Sequence, residues 1–447
     1  MSNDQKQGTS DKHSRRDFLK TTAIGAATAG VASTLSIARS AHAAGQEVVK
    51  IGFIGCGGRG TGACRDALVA KGPNKLVMMA DVFKDRLERS LQNLRRVEGI
   101  QDKIDVPPER QFIGFDAFQK VLNSDVDMVL LTTPPGFRPM MYKAAVEAGK
   151  HVFMEKPCCV DGPGYRELIA GNKIAKAKNL CVVVGLQRHH QKSYQEGIKK
   201  IHDGAIGKVE YVRTYFNMPG AGRNDRGKPA DVPELEWQIR HWGVFTWLSG
   251  DHIVEQAIHE IDIANWILQG HPIKANGMGG RQVRTGRGNG QIFDHHFVEY
   301  EYEGGVKHWA QARQQGGTWQ EVSDNAKGTK GEMTVGFGPY GQGGHGYSRT
   351  HKWLTNNPYE QEHQDLLDAI TSGNTLFEGD YAADSSMTAV MGRMATYSGK
   401  VVTWEEAINS TLDLAPDNFK SINDPAPVQP DADGNYPVAM PGLTRGW

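Results

Sequence analysis

The sequence lacks a net charge, since 51 lysines and arginines balance 51 aspartates and glutamates over 447 residues. Without a basic excess it has little with which to neutralise phosphates, so nucleic acid is not an expected partner. Its charged fraction of 23% and hydrophobic fraction of 39% are those of an ordinary globular protein,. The length allows two or three domains at roughly 100–200 residues each.

The sequence also has few cysteines. The five cysteines are odd in number, show no disulfide-framework spacing and form no CxxC pair. These features exclude a disulfide-stapled fold and a cysteine zinc site, and we predict no metal site. Adjacent Cys158 and Cys159 could form only a strained bridge, so buried thiols are the expected state.

The first 43 residues are predicted to be an export leader rather than part of the fold. Residues 14–20, Ser-Arg-Arg-Asp-Phe-Leu-Lys, match the twin-arginine signal, and residues 41–43, Ala-His-Ala, match a signal peptidase site,. The stretch between them is too rich in glycine and threonine to favour a transmembrane anchor. We expect the twin-arginine export machinery as a partner, cleavage near Ala43/Ala44, a periplasmic location, and no membrane attachment afterwards.

Glycine, by contrast, is abundant, and its 53 residues exceed the roughly 7% that is usual,. A β-branched run at 48–54 leads into a GxGxxG loop, and a helix-compatible stretch at 61–71 follows it. This order predicts a dinucleotide site: the first glycine permits the turn, the second admits a pyrophosphate, and the third lets helix and strand pack closely. The loop residues expected to contact the cofactor are Gly55, Gly57, Gly58, Arg59 and Gly60. A second glycine cluster, at 277–346, has no functional assignment.

An acidic residue follows at the distance that such a site requires. The apolar strand at 76–80 ends in Asp81, 21 residues beyond the last glycine of the loop. A carboxylate at this position accepts hydrogen bonds from ribose hydroxyls and repels a 2′-phosphate. NAD is therefore the predicted cofactor, with NADP left open.

Short apolar strands alternate with helices beyond Asp81. Strands are predicted at 127–131, 151–154 and 180–185, with helices at 139–149 and 163–177. Such alternation predicts a parallel, doubly wound sheet whose ligands bind at the carboxyl ends of the strands. The residues at those ends that we expect to contact the cofactor are Thr133, Pro134, Glu155, Lys156 and Gln187.

The pattern changes after residue 187. Longer strands are predicted at 208–217, 297–302 and 306–312, the last two joined by a Glu-Gly-Gly hairpin turn,. The predicted fold is an α/β Rossmann dinucleotide-binding domain followed by an α+β domain with a large, mostly antiparallel open sheet. The predicted segments are the leader at 1–43, the Rossmann domain at 44–187, the α+β domain at 188–423, and a proline-rich tail at 424–447.

Several motifs together resemble the Gfo/Idh/MocA oxidoreductase family. They are the glycine loop, Ala-Gly-Lys-His-Val at 148–152 leading into Glu-Lys-Pro at 155–157, the helix containing His259, and Lys-Gly-Thr-Lys-Gly at 327–331. The segment from 391 to 404 resembles exported members of the family. The resemblance implies a sugar, glycoside or polyol substrate, a nicotinamide cofactor, and a large sheet that supports a homo-oligomer, a dimer or a tetramer. Because free NAD is scarce outside the cytoplasm, we expect the cofactor to be tightly bound.

The resemblance also assigns roles. Residues 252–268 are predicted to form one helix, with Glu255 and His259 four residues apart on its polar face,. The family's catalytic histidine maps onto His259, and its usual aspartate maps onto Glu255, a departure that leaves Asp251 as a rival acid. A second departure places Pro135 and Arg138 where asparagine and histidine are common.

The expected reaction is hydride transfer. As a hypothesis, His259 removes the proton of a substrate hydroxyl, Glu255 fixes the histidine tautomer, and Lys156 binds the reacting oxygen. Two alternatives stay open: an NAD-dependent glycosidase whose transient redox cycle causes no net oxidation, and a non-catalytic sugar-binding relative.

Overall fold

The computed structural model describes residues 48–220, 226–336, 356–416 and 419–446. The predicted leader at 1–43 lies outside the described residues. Two β-sheets organise the chain, one of six strands and one of seven. Every neighbouring pair in the first sheet is parallel, whereas the second sheet is mixed and mostly antiparallel, so the predicted fold class is confirmed.

The first sheet has the strand order β3-β2-β1-β4-β5-β6, so the order reverses between β1 and β4. Its strands are β1 (Val49–Ile54), β2 (Asn74–Asp81), β3 (Gln111–Ile113), β4 (Met128–Leu131), β5 (His151–Met154) and β6 (Val182–Val184). All four residues of β4 are buried, as expected for a central strand covered on both faces,. In open parallel sheets, ligands bind outside the strand carboxyl ends at such a reversal.

The second sheet has the order β12-β11-β7-β10-β9-β8-β13. Its strands are β7 (Val209–Met218), β8 (Lys274–Gly280), β9 (His295–Glu301), β10 (Lys307–Gln314), β11 (Glu321–Gly328), β12 (Gly331–Val335) and β13 (Val402–Thr403). Strands β9 and β10 form the predicted hairpin, while β7 and β10 pair in parallel. Buried and partly exposed residues alternate along β10, so one face of the sheet packs inward and the other stays open.

Helices cover both sheets. In chain order they are α1 (Gly58–Val69), α2 (Lys84–Arg95), α3 (Ala117–Leu122), α4 (Arg138–Glu147), α5 (Gly162–Ala177), α6 (Lys192–His202), α7 (Glu234–Arg240), α8 (Thr246–Ser249), α9 (His252–Glu255), α10 (Ile258–Leu268), α11 (Pro358–Ser372), α12 (Gly379–Ser398) and α13 (Trp404–Ile408). Short 3₁₀ turns lie at Gln101–Lys103, Pro108–Arg110, Pro135–Phe137, Gln187–His190, Trp242–Val244, Arg287–Asn289 and Glu303–Gly305.

The two halves share one core. Nearly every residue of α12 is buried, and this helix contacts α5 beside the first sheet and β8 of the second. Helix α11 packs on α1, and its Leu366 and Leu367 join the core under that helix. The face of the Rossmann sheet is therefore completed by a segment from late in the chain, which the predicted segment 44–187 did not include.

The structure corrects one predicted element. The single helix expected over 252–268 is two helices, α9 and α10, interrupted at Gln256 and Ala257. The amide of His259 donates to the carbonyl of Gln256 rather than to that of Glu255, so the Glu255 carbonyl is released from the helical ladder. No glycine or proline marks this break, and it is therefore absent from the sequence pattern.

The C-terminal tail packs on its own chain in the described residues. The side chain of Gln238 donates to the carbonyl of Val428, and the Tyr436 hydroxyl donates to Glu234 at 2.7 Å. The amide of Gly442 donates to the carbonyl of Ser398. Across the described ranges, no helix has the length and apolar character needed to cross a membrane.

Candidate active site between two cavities

The glycine loop turns between β1 and α1 at the reversal point of the first sheet. Gly55 has a φ of +96°, and a Cβ there would stand 2.6 Å from the amide nitrogen of Thr133. A Cβ on Gly60 would meet the Gly55 carbonyl oxygen at 2.3 Å, so both positions require glycine,. Gly57 and Gly58 instead face open space, with no atom within 4 Å of an added Cβ. This open backbone at the start of α1 fits the pyrophosphate of a dinucleotide.

Asp81 ends β2 beside this loop. Its carboxylate accepts hydrogen bonds from the amides of Cys56 at 2.6 Å and Phe83 at 2.8 Å. Burial raises the pKa of the Asp81 carboxyl, while the two amide bonds act in the opposite direction. Asp81, the glycine loop, Thr133 and Pro134 line one cleft. The cleft therefore joins the predicted ribose contact to the predicted phosphate contact.

Arg138 fixes the loop after β4. Its buried guanidinium donates to the carbonyl of Thr133 and to the carbonyl of Pro157. One side chain thus ties the loop on the cleft to the loop that carries Lys156, whose bond to Pro157 is cis. This structural role accounts for an arginine where the family resemblance led us to expect an amide or imidazole.

Among the described residues, Glu155 and Gln187 do not line the cleft but contact residues next to it. Glu155 pairs with Arg59 of the glycine loop at 2.7 Å, and the guanidinium of Arg59 lies over the Tyr359 ring. The side-chain amide of Gln187 donates to the hydroxyl of the same Tyr359 at 3.2 Å. Among these, Arg59 is the residue that reaches the cleft itself.

Lys156 lines a second cavity. Its ammonium donates to the Glu255 carboxylate at 2.9 Å and also to the Glu255 carbonyl. The break between α9 and α10 makes the second contact available, because an unbroken helix would have used that carbonyl. The interruption therefore holds the lysine with two acceptors from one residue.

His259 lines the same cavity, but its predicted partner is different in the structure. Glu255 engages Lys156, and the buried Nδ1 of His259 has no hydrogen-bond partner among the described residues. Burial, followed by the charges of Lys156 and Arg188, holds the pKa of His259 well below its ordinary 6.5. The imidazole is therefore neutral at pH 7 and able to accept a proton.

The hydrogen bonds of the rival acid, Asp251, are made with residues other than His259. Its carboxylate accepts hydrogen bonds from the Phe293 amide at 2.9 Å, the Tyr397 hydroxyl and the His296 ring at 3.2 Å. Asp251, His252 and His296 each offer a ligand atom, and these atoms lie within 4.8 Å of one another. This cluster was not anticipated from the sequence, where no metal was predicted. The donors on Asp251 already satisfy its carboxylate without an ion.

Other residues of the second cavity escaped the sequence analysis. Trp242 lines both the first cleft and the second cavity, so it stands where the two meet. The other polar side chains of the cavity are His252, Gln256, Arg284 and Gln314. The glycine cluster that starts at residue 277 was the available sequence signal for Arg284. Gly277 and Gly279 let β8 pack against β9 just before this residue.

Two family models match most of the described chain. Residues 49–186 match the GFO_IDH_MocA model, described as an oxidoreductase family with an NAD-binding Rossmann fold. Residues 194–334 match the GFO/IDH/MocA C-terminal domain. The two matches are consecutive and correspond to the first sheet and to most of the second.

Individual relatives are more distant. The chain is 23% identical to the scyllo-inositol 2-dehydrogenase (NAD(+)) of Bacillus subtilis over 299 residues, 64% of this chain and 74% of that protein. It is 27% identical to the inositol 2-dehydrogenase of Rhizobium meliloti over 34% of this chain and 39% of that one. The scyllo-inositol dehydrogenase of Lactobacillus casei, solved with NAD(H) and scyllo-inositol, superposes with a TM-score of 0.60 at 19% identity, over 80% of this chain and all of that one. At that identity the structural match shows the fold.

Proposed function

Because the chain belongs to the Gfo/Idh/MocA oxidoreductase family, we propose that it transfers a hydride between a sugar, glycoside or polyol hydroxyl and NAD. The observation that carries the proposal is the convergence of Lys156, Glu255 and His259 on one cavity adjoining the nucleotide cleft at Trp242. The relatives named for inositol oxidation support a polyol-like substrate. NAD, when bound, would supply the hydride acceptor.

The protein's own residues would handle the proton and the oxygen. His259, neutral at pH 7, takes the proton of the substrate hydroxyl as the C–H bond of the same carbon breaks. Lys156 donates a hydrogen bond to that oxygen and stabilises the negative charge that develops on it. Glu255 is then a positioning residue for Lys156 rather than an orienter of the histidine. Reduction of a carbonyl would run through the same contacts in reverse.

We propose NAD over NADP because Asp81 ends β2 within the cleft, where a carboxylate disfavours a 2′-phosphate,. Tight binding is supported by Ile239, Arg240 and Trp242, which extend from the second half over the nucleotide cleft. Mass spectrometry of the denatured purified protein should release near-stoichiometric nicotinamide dinucleotide. Repeated empty preparations that bind NAD only at millimolar concentration would contradict retention.

Export to the periplasm by the twin-arginine machinery rests on residues 14–20 and 41–43 alone. Its test is expression of the full chain with Arg15 and Arg16 both changed to lysine, which should trap the uncleaved protein in the cytoplasm. Unchanged periplasmic recovery would remove this part of the proposal.

A homo-oligomer is proposed through the open face of the second sheet. Met278 is 74% exposed, Trp319 is 57% exposed and Phe297 is 37% exposed, an apolar set on that sheet and its adjoining loop,. Light scattering after gel filtration should give a dimer or tetramer mass, and a monomer at all concentrations would contradict it.

The test of the chemistry is Lys156→Met in the cofactor-loaded protein. We expect the nicotinamide content to stay unchanged and turnover of an accepted sugar to fall on the order of 1000-fold. The turnover of Lys156→Arg should fall less, because arginine keeps the positive charge. Near-normal turnover in Lys156→Met would contradict the proposed role of Lys156 at the reacting oxygen. Release of nitrophenol from nitrophenyl glycosides without net cofactor reduction would indicate the glycosidase instead.

A further inference from the structure

The catalytic cavity contains an arginine without a carboxylate partner. Arg284 is 6% exposed, yet its side chain lines the cavity that holds Lys156 and His259. One terminal nitrogen donates to the side-chain oxygen of Gln314, while its Nε has no partner. Within the described ranges, no aspartate or glutamate forms an ion pair with it.

The loop that carries Arg284 is held firmly in place. The buried carboxylate of Asp294 accepts the amides of Gln282, Val283 and Arg284 at distances of 2.5 to 3.0 Å. The guanidinium of Arg281 donates to the carbonyls of Arg284 and Gly290. The backbone around Arg284 is thus fixed by groups that make no hydrogen bond to its side chain.

The neighbouring carboxylates of Asp251 and Asp294 act on Arg284 through their charge, but their hydrogen bonds go to other donors. Asp294 is used by the loop amides, and Asp251 accepts from Phe293, Tyr397 and His296. At the other end of the cavity, the Lys156 ammonium is matched by Glu255. Among the described residues, Lys156 therefore has a carboxylate in direct contact, whereas Arg284 lies near two carboxylates but donates a hydrogen bond to neither.

His252 lies near the Arg284 guanidinium and lines the same cavity. It is 3% exposed, and neither of its ring nitrogens has a hydrogen-bond partner. Burial lowers the pKa of His252 to about 3, so the ring is neutral and carries one N–H donor. Buried polar groups in proteins are nearly always paired, so these unpartnered nitrogens at a cavity are available to a ligand group,.

We propose that the substrate of this enzyme carries an acidic substituent, a carboxylate or a sulfate ester, which binds Arg284 with His252 as a second donor. The inference rests on the proposed function, because it places the reacting hydroxyl at Lys156 and His259 and the acidic group at Arg284. An anion would give the buried guanidinium the charge-assisted hydrogen bonds that Asp251 and Asp294 do not make, and a neutral hydroxyl would do so less well. The substrate class would then be uronates, uronides or sulfated sugars rather than neutral polyols.

The experiment compares matched neutral and anionic sugars on the cofactor-loaded protein. Calorimetry would measure binding of methyl glucoside against methyl glucuronide, galactose against galacturonate, and galactose against galactose 6-sulfate. We expect the anionic member of at least one pair to bind more than about 10-fold tighter. The pair with galactose 6-sulfate distinguishes a sulfate ester from a carboxylate as the preferred acidic group, because the two anions differ in shape.

Arg284→Gln should remove most of that preference while binding of the neutral member changes less than about 3-fold. Arg284→Lys should keep part of it, because the charge remains. Arg287→Gln is the matched control, since this arginine is exposed on the same loop and does not line the cavity. If Arg284→Gln does not fold, the pairs measured on the unmodified protein and on Arg284→Lys decide the question.

Equal binding within every pair, or no binding by any anionic member, would overturn the inference. Reduction of bound cofactor by neutral sugars alone would overturn it while the proposed function stands. Anionic sugars that bind through Arg284 without reducing the cofactor would leave the inference standing and contradict the proposed oxidoreductase activity. The two failures are therefore distinguishable.

Discussion

The nucleotide cleft and the cavity that holds Lys156 and His259 meet at Trp242 but are built differently. The cleft is formed largely by backbone: a glycine loop, a helix start and strand ends that lie within one continuous segment of the chain. The cavity is formed by side chains, with Lys156 from the first half, Glu255 and His259 from either side of a helix break, and Arg284 from a distant loop. The backbone site tolerates no added Cβ at Gly55 and Gly60, whereas a side-chain site depends on charges that must be matched across the fold.

The first way to test this contrast removes the proton acceptor from the cavity. His259→Gln should lower turnover about 100- to 10,000-fold, since the cavity then has no neutral imidazole to take the hydroxyl proton. Nicotinamide content should stay at the level of the unmodified protein, because His259 does not line the cleft. The measurement pairs steady-state rates with mass spectrometry of the denatured protein. A parallel loss of cofactor would show that the two sites are not separable.

The pH dependence follows from the same residue. The folded pKa of His259 lies below 6.5 because of burial and nearby cations, so the ring stays neutral on lowering the pH through 6.5. The rate at low substrate concentration should therefore be level from pH 8 to 6.5 and fall only at lower pH. A fall already centred at or above 6.5 would contradict a depressed pKa. Since the unfolded ring binds a proton at about 6.5, the contribution of this group to stability is also lost as the pH falls below that value.

The second test compares two glycines of the backbone site. Gly55→Ala should lower the unfolding free energy by about 1–3 kcal/mol, because it places a Cβ at positive φ against Thr133,. Gly57→Ala meets no atom within 4 Å and should leave stability within about 1 kcal/mol while reducing cofactor content,. Urea denaturation of cofactor-free protein and mass spectrometry measure the two effects. Equal destabilisation by both substitutions would mean that the loop is not open toward a ligand.

The contrast also explains what the sequence could and could not reveal. The glycine loop, Asp81 and the first sheet were predictable because each depends on neighbours within a few residues, and β2 indeed ends at Asp81. The residues Lys156 and His259 were reached through a family resemblance, and they line one cavity as that resemblance implied. The partner of Glu255 was predicted wrongly, because the i,i+4 rule applies only within an unbroken helix.

The break itself could not be predicted from local pattern. Residues 254–258, Val-Glu-Gln-Ala-Ile, are ordinary helix formers, and the interruption is compensated by a lysine that lies 99 residues away in the chain. Arg284 was missed for a related reason: its loop is fixed by Asp294, and only the fold brings it to His259's cavity. Long-range charge pairing is the part of this site that sequence periodicity does not encode.

The third test concerns the partner of Glu255. Glu255→Gln keeps a side-chain acceptor and the carbonyl contact but removes the negative charge beside Lys156, so turnover should fall about 10-fold. Glu255→Asp should recover part of the loss. The acid limb of the pH profile should not move, because the charges acting on His259 are those of Lys156, Arg188 and Arg59. A displaced acid limb would restore the histidine-orienting role first expected of Glu255.

The smallest expected effect is that of replacing Arg240, a residue of the second half that lines the nucleotide cleft. The Arg240 guanidinium lies 3.9 Å from the Phe83 ring centroid and pairs with Asp85 at 3.0 Å. Both contacts are partly exposed, and such cation–π and ion-pair contacts contribute about 0.5–1 kcal/mol each at most. Arg240→Ala should therefore raise the rate of NADH release about 2- to 5-fold, measured by transfer of fluorescence to a competing NAD-binding protein. Turnover chemistry in a single-turnover experiment should be unchanged, because Arg240 contacts the cleft and not the cavity. An unchanged release rate would mean that the glycine loop and Asp81 retain the cofactor without help from Arg240.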